Sequence, residues 1–128
     1  MSANLTNFEI AWVVEDVWLI RRDMADTLAR AGWKVLELPC GEAAAAQLAK
    51  GSRVDLVVTD IRLGGPVSGW DVAEQCRAAH PAVAIIYCSG NAEDASRCLS
   101  GSIFISKPVE PLVLLEAATR LSGRPRSR

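Results

Sequence analysis

The sequence contains five short apolar runs at regular intervals, and this pattern constrains the fold more than any other feature. The runs are residues 10–14, 33–38, 54–59, 82–88 and 102–105. Their first residues lie 23, 21, 28 and 20 positions apart. Runs rich in Val and Ile that do not alternate with polar residues are typical of strands buried on both faces. We therefore expect a parallel sheet, because each intervening segment is long enough for a helical crossover.

The first three intervening segments and the segment after the last run have helical patterns. In the first, apolar residues recur at steps of three and four, and Gly32 stands where a helix C-cap belongs. This apolar stripe consists of Val17, Ile20, Met24, Leu28 and Ala31. The second helix is predicted over 42–50, the third from near Gly69 to before Pro81, and the last from Pro108 or Pro111 to Leu121. The alternation predicts a five-stranded doubly wound α/β sheet with helices on both faces.

The fourth crossover is the exception. Asn91 can cap a helix and Asp94 follows three residues later, but only residues 92–99 remain before Ser100-Gly101. At most two turns fit there. We expect the fourth helix to be short or irregular.

Composition excludes several classes of function. The 14 Lys and Arg nearly balance the 15 Asp and Glu, so the chain has no basic surface of the kind that binds nucleic acid. No apolar run approaches the roughly 20 residues of a membrane span, and no signal peptide precedes the first strand, which favours a cytoplasmic location. The four Cys are scattered and the chain has one His, so we interpret the cysteines as small core residues rather than zinc ligands or disulfide partners.

Reactive side chains follow four of the predicted strands. Glu15-Asp16 ends the first run, Asp60 the third, Ser89 the fourth and Lys107 the fifth. The carboxyl ends of parallel strands meet at one edge, where such folds bind ligands. Clustered carboxylates suit Mg2+, and a carboxylate can accept a phosphoryl group whose charge a metal ion, an ammonium and a hydroxyl would neutralise. One Asp after a strand is often only a turn residue, but four strand ends together favour a functional site.

These residues stand in segments that resemble the receiver domain of two-component response regulators. The segments are Val13-Val14-Glu15-Asp16, Val57-Val58-Thr59-Asp60-Ile61-Arg62-Leu63, Ile86-Tyr87-Cys88-Ser89-Gly90 and Ile105-Ser106-Lys107-Pro108. Each motif is weak by itself, whereas their order and spacing are specific. The resemblance extends from Ile10 to about Leu121. It implies a flavodoxin-like fold with strand order 2-1-3-4-5.

The resemblance also implies a role for each site residue. Asp60 would be the phosphoacceptor. Mg2+ would be held by Asp16, Asp60 and the backbone carbonyl of Arg62, with Glu15 reaching it through water. Ser89 would donate a hydrogen bond to the phosphoryl group and Lys107 would pair with it. Phe104 would turn inward behind Ser89 as the switch residue, by packing alone because it has no hydroxyl.

The implied partners are a sensor histidine kinase or a histidine phosphotransfer protein, in a phosphorelay, and a downstream protein target. We expect a stand-alone receiver that is a monomer or a weak homodimer and binds neither nucleic acid nor membrane. The expected boundaries are an N-terminal extension at 1–8, the receiver at 9–122 and a frayed tail at 123–128. We expect no enzymatic activity beyond Mg2+-dependent self-phosphorylation and self-dephosphorylation.

Two alternatives remain. A phosphorylation-independent interaction module would use the same fold, and the shortened fourth helix keeps this interpretation open. A hydrolase of the haloacid dehalogenase type would place a second Asp two residues after the nucleophile, and that position here is Arg62.

Overall fold

The sheet of this protein has five parallel strands in the order β2-β1-β3-β4-β5, as the resemblance implied. The computed structural model describes residues 9–123; the expected extension at 1–8 and the tail from 124 onward lie outside them. The strands are β1 (Ile10–Val14), β2 (Lys34–Leu38), β3 (Leu56–Asp60), β4 (Ala84–Ser89) and β5 (Ile103–Ser106). The α-helices are α1 (Trp18–Arg30), α2 (Gly41–Ala49), α3 (Gly69–Ala79) and α4 (Pro111–Ser122).

Two apolar clusters, one on each face of the sheet, form the core. The side chains of β1 divide between them: Ala11 and Val13 belong to the first cluster, Trp12 and Val14 to the second. Buried residues of α1 and α4 complete the first cluster, and those of α2 and α3 complete the second. The prediction of helices on both faces is confirmed, and the doubly buried strands explain the lack of alternation in the apolar runs.

The predicted apolar stripe of the first helix is only partly buried. Met24 and Leu28 lie in the core, whereas Val17 and Ile20 are 48% and 37% exposed. Helix α1 begins beside the carboxyl edge of the sheet, where the strand that would cover these side chains has already ended at Val14. The N-terminal part of the apolar stripe therefore faces solvent, and its C-terminal part lies in the core.

The fourth crossover contains a 3₁₀ helix, Ala92–Arg97, in place of an α-helix. Asn91 caps it as predicted, since its side-chain oxygen accepts a hydrogen bond from the Glu93 backbone N–H at 3.1 Å. Asp94, however, does not act in this cap; its carboxylate turns inward and is buried. The expectation of a short, irregular fourth helix is thus confirmed.

Two of the cysteines, Cys76 and Cys88, lie in the core, and Cys40 and Cys98 are half-buried. All four are free thiols. Burial raises the pKa of Cys76 and of Cys88 to about 12, so both remain unreactive thiols at neutral pH. Within the part of the chain that the structure describes, no helix has the length and apolar character needed to cross a membrane.

Candidate functional site

Three carboxylates meet at the carboxyl edge of the sheet. Glu15 and Asp16 follow β1, and Asp60 is the last residue of β3, the strand paired beside it. One oxygen from each lies within 4.8 Å of the others. Glu15 is fully buried, Asp60 is 6% exposed, and Asp16 faces solvent. The predicted carboxylate cluster is therefore assembled by two adjacent strands, with an open side at Asp16.

Lys107 binds the two buried members of this cluster. Its Nζ lies 2.8 Å from Glu15 Oε1 and 3.3 Å from Asp60 Oδ2. The backbone N–H of Lys107 donates to the Ser89 carbonyl at 2.9 Å, which extends the pairing of β4 with β5 and aims the side chain at the cluster. One ammonium thus bridges carboxylates from two strands.

The environment of the two buried carboxylates disfavours their ionised forms. Burial raises the pKa of Asp60 above its usual range, and the nearby Asp16 charge adds to this, although Lys107 opposes it. Burial likewise raises the pKa of Glu15, with a contribution from Asp60. Burial by itself lowers the pKa of Lys107, but the hydrogen bond to Glu15 and the charge of Asp60 outweigh it, and the pKa is raised. The cluster therefore contains three acidic groups, and Lys107 pairs with two of them.

This imbalance fits a divalent cation. The cluster presents only carboxylate oxygens, the hard ligands that Mg2+ binds, and one of its members is solvent-exposed. An added cation would offset the repulsion that burial intensifies. Glu15, Asp16 and Asp60 are therefore the described side chains that fit Mg2+ at this position.

The chain passes close to itself where Asp60 is held. The Gly69 backbone N–H donates to the Ile61 carbonyl at 2.9 Å, and a Cβ atom at position 69 would lie 2.1 Å from the Asp60 carbonyl oxygen. Only glycine allows this approach. The Arg62 backbone N–H, at 3.3 Å, donates to Asp60 Oδ1. The first turn of α3 therefore supports the end of β3 directly.

Ser89 ends β4 with its side chain buried. Its hydroxyl donates a hydrogen bond to Asp94 Oδ2 at 2.7 Å and accepts one from the Asn91 backbone N–H at 3.0 Å. Asp94 in turn accepts from Arg62, whose Nε and Nη2 lie 3.1 and 2.5 Å from its two carboxylate oxygens. The hydroxyl predicted to face the site is therefore already engaged by a residue of the 3₁₀ helix.

Sequence reasoning missed two contributors to this arrangement. The role of Asp94 left no local signal beyond its place in a segment too short for a normal helix. Arg21 donates from Nη1 to the Glu15 backbone carbonyl at 2.9 Å and helps to fix the end of β1.

Phe104 is half-buried on β5 opposite Tyr87 and packs against the second core cluster, and its switch role stays a prediction.

Comparison with known proteins identifies the family of this site. A family model described as "Response regulator receiver domain" matches residues 11–119. A response regulator receiver protein from Sinorhizobium medicae is 31% identical, with a TM-score of 0.86 over 91% of this chain and 96% of that one. The receiver domain of NtrX from Brucella abortus is 26% identical, with a TM-score of 0.76 over 90% and 99%. Chemotaxis response regulator CheY4 of Vibrio cholerae, at 21% identity, has the same fold, with a TM-score of 0.78 over 90% and 99%. A comparison with curated proteins finds no match.

Proposed function

Because the chain belongs to the response regulator receiver family, we propose that it accepts a phosphoryl group on Asp60 and signals through protein contacts. Phosphorylation of an aspartate is characteristic of that family. The observation that carries the proposal is the position of Lys107 Nζ, within 3.3 Å of Asp60 and 2.8 Å of Glu15. This cation supports the proposal, because an ammonium beside Asp60 can neutralise the charge of a phosphoryl group transferred to that carboxylate.

The transfer forms one bond and breaks another. A carboxylate oxygen of Asp60 attacks the phosphorus of a phosphohistidine, and the P–N bond breaks with its electron pair left on the imidazole nitrogen. The product on this chain is an acyl phosphate. Lys107 neutralises the phosphoryl oxygens, and Glu15 holds the ammonium in place because its other oxygen accepts from the Val17 backbone N–H at 3.0 Å.

Mg2+, held by Glu15, Asp16 and Asp60, would supply further neutralisation of the phosphoryl charge when bound. The backbone carbonyl of Arg62, implied by the family, would be a further ligand.

The start of α1 is a candidate surface for the phosphodonor. Val17, Trp18 and Leu19 follow Asp16 directly, and all three side chains are exposed. A histidine kinase or a histidine phosphotransfer protein that presents its phosphohistidine to Asp60 would cover this apolar surface. We also propose that the protein is a stand-alone receiver and that it is located in the cytoplasm.

The test uses a small donor. Incubation with acetyl phosphate and Mg2+ should add one phosphoryl group, seen by intact mass spectrometry, and chelation of Mg2+ should prevent it. Asp60→Asn should not be labelled, while Asp26→Asn, which changes an exposed carboxylate of α1 outside the cluster, should be labelled like wild type. Labelling of Asp60→Asn, or none in wild type, would contradict the proposal and favour a phosphorylation-independent interaction module.

A further inference from the structure

The Ser89 hydroxyl can donate one hydrogen bond, and in this structure its acceptor is Asp94. Ser89 Oγ donates to Asp94 Oδ2 at 2.7 Å and accepts from the Asn91 backbone N–H. A hydroxyl donates one hydrogen bond at a time. A phosphoryl oxygen on Asp60 can therefore accept a hydrogen bond from this hydroxyl only after the hydrogen bond to Asp94 is broken.

Asp94 is a carboxylate that can only accept hydrogen bonds. The bonds from Arg62 hold the pKa of Asp94 below its usual range, so the group is ionised at neutral pH. The Asp94 side chain is 2% exposed, while that of Arg62 is 64% exposed and reaches in from solvent. A buried, charged acceptor makes a stronger partner for a hydroxyl than a neutral one does.

Asp94 is also fixed from its backbone. The indole Nε1–H of Trp70 donates to the Asp94 carbonyl at 3.1 Å. Two guanidinium groups lie over the Trp70 ring, with Arg62 Cζ 5.2 Å and Arg97 Cζ 5.1 Å from its centre. Arg97 binds Asp71 and Glu74 of α3, each at 3.0 Å. The 3₁₀ helix is therefore attached to α3 and to the loop after Asp60 at the residue that engages Ser89.

We propose that Asp94 is a positioning residue that holds Ser89 in a resting orientation, which phosphorylation of Asp60 must break. This inference rests on the proposed function of Asp60. In the resting protein the Ser89 hydroxyl donates its hydrogen bond to Asp94, and after phosphorylation the phosphoryl group competes with Asp94 for that hydrogen bond. Once the Ser89 hydroxyl turns to the phosphoryl group, the 3₁₀ helix loses its hydrogen bond to Ser89 of β4 and keeps its hydrogen bonds to Arg62 and Trp70. Phosphorylation is thereby transmitted to residues 92–97.

The experiment measures the affinity for beryllofluoride, a phosphoryl mimic, in the presence of Mg2+. Asp94→Ala should bind it about tenfold more tightly than wild type, because the mimic no longer competes with a charged acceptor. In a Ser89→Ala background the same substitution should change the affinity little, since the effect acts through the hydroxyl. Glu93→Gln, which removes an exposed carboxylate from the same helix, is the matched control and should bind like wild type.

Each outcome decides between the two proposals. If wild type binds beryllofluoride but Asp94→Ala is unchanged or weaker, or shifts equally in both backgrounds, the role of Asp94 is refuted and the function of Asp60 stands. If wild type does not bind, the proposed function fails and the role of Asp94 fails with it.

A second measurement needs no variant. In NMR spectra of wild type, the Asn91 amide and the Trp70 indole N–H report on Ser89 and on Asp94, respectively. The Asn91 signal should move when beryllofluoride saturates the site, and the Trp70 signal, whose hydrogen bond to Asp94 is kept, should move less. An Asn91 signal that stays in place would overturn the proposal.

Discussion

At the residue scale, the site is defined by an excess of buried negative charge. Glu15 and Asp60 are removed from water with Lys107 as the shared cation, and Asp16 adds a third carboxylate within reach. Burial of a charged group costs free energy unless it is paired. The carboxylates that could hold a cation therefore destabilise the fold while no cation is bound.

Replacement of Asp60 by Asn should stabilise the protein at neutral pH. The pKa of Asp60 is raised in the folded state, so the ionised carboxylate lowers the free energy of unfolding at neutral pH. This cost disappears as the pH falls toward about 4, the pKa of an ordinary Asp, because Asp60 is then protonated in the folded state. We expect a gain on the order of 1 kcal/mol at pH 7, the Coulomb energy of two charges about 4 Å apart in water. Urea unfolding from pH 7 to pH 4 checks this, and the gap between variant and wild type should narrow as the pH falls. A gap that widens toward low pH would contradict this assignment.

Replacement of Lys107 by Met should act in the opposite direction. The substitution leaves Glu15 fully buried without its cation. We expect the free energy of unfolding to fall by about 1–3 kcal/mol, less than for a fully buried pair because Lys107 is partly exposed. The matched control is Lys34→Met, because the Lys34 side chain is 79% exposed and its ammonium lies 3.8 Å from Glu9. Thermal unfolding should separate the two variants clearly, and equal melting temperatures would refute the role of the buried pair.

At the scale of elements, the parallel strands bring the site residues together and α3 supports them. Helix α3 begins with a capping box in which Ser68 and Asp71 exchange hydrogen bonds, so its first turn is firmly placed. That turn packs against the end of β3 through Gly69, and its Trp70 binds the 3₁₀ helix. Helix α3 thus connects β3, the strand that ends at Asp60, with the segment that engages Ser89.

Gly69→Ala should disturb both stability and the site. The added Cβ would meet the backbone of Asp60 and Ile61, which cannot move aside like a side chain, and we expect a loss of about 2 kcal/mol or more. Gly90→Ala is the control, because a Cβ there meets no atom within 4 Å. Denaturant unfolding measures the loss, and acetyl phosphate labelling of Asp60 should slow in Gly69→Ala alone. A Gly69→Ala variant as stable as Gly90→Ala would show that the close approach is absent.

At the scale of the whole molecule, one edge of the sheet concentrates the chemistry while two apolar clusters hold the strands in register. Ligand binding at that edge is therefore linked to the stability of the whole domain.

Mg2+ should raise the melting temperature of the wild-type protein. A ligand at about 100 times its dissociation constant adds about 2.7 kcal/mol to the stability of a folded protein. Asp60→Asn should respond less, because it lacks one ligand and one charge, whereas Glu116→Gln, an exposed carboxylate variant on α4, should respond like wild type. A titration of melting temperature against Mg2+ concentration measures this. Equal responses in all three proteins would place the cation elsewhere.

The sequence by itself determined the order of strands and helices and the residues at the sheet edge. Apolar runs and glycine positions are local signals, and parallel pairing then brings Glu15, Asp60 and Lys107 to one edge. Only the tertiary structure decided which side chains Ser89 and Arg62 bind. Arg62 and Asp94 are 32 residues apart, and their pairing depends on how a short 3₁₀ helix packs against α3. Such packing arises from contacts among distant segments, which no local pattern encodes.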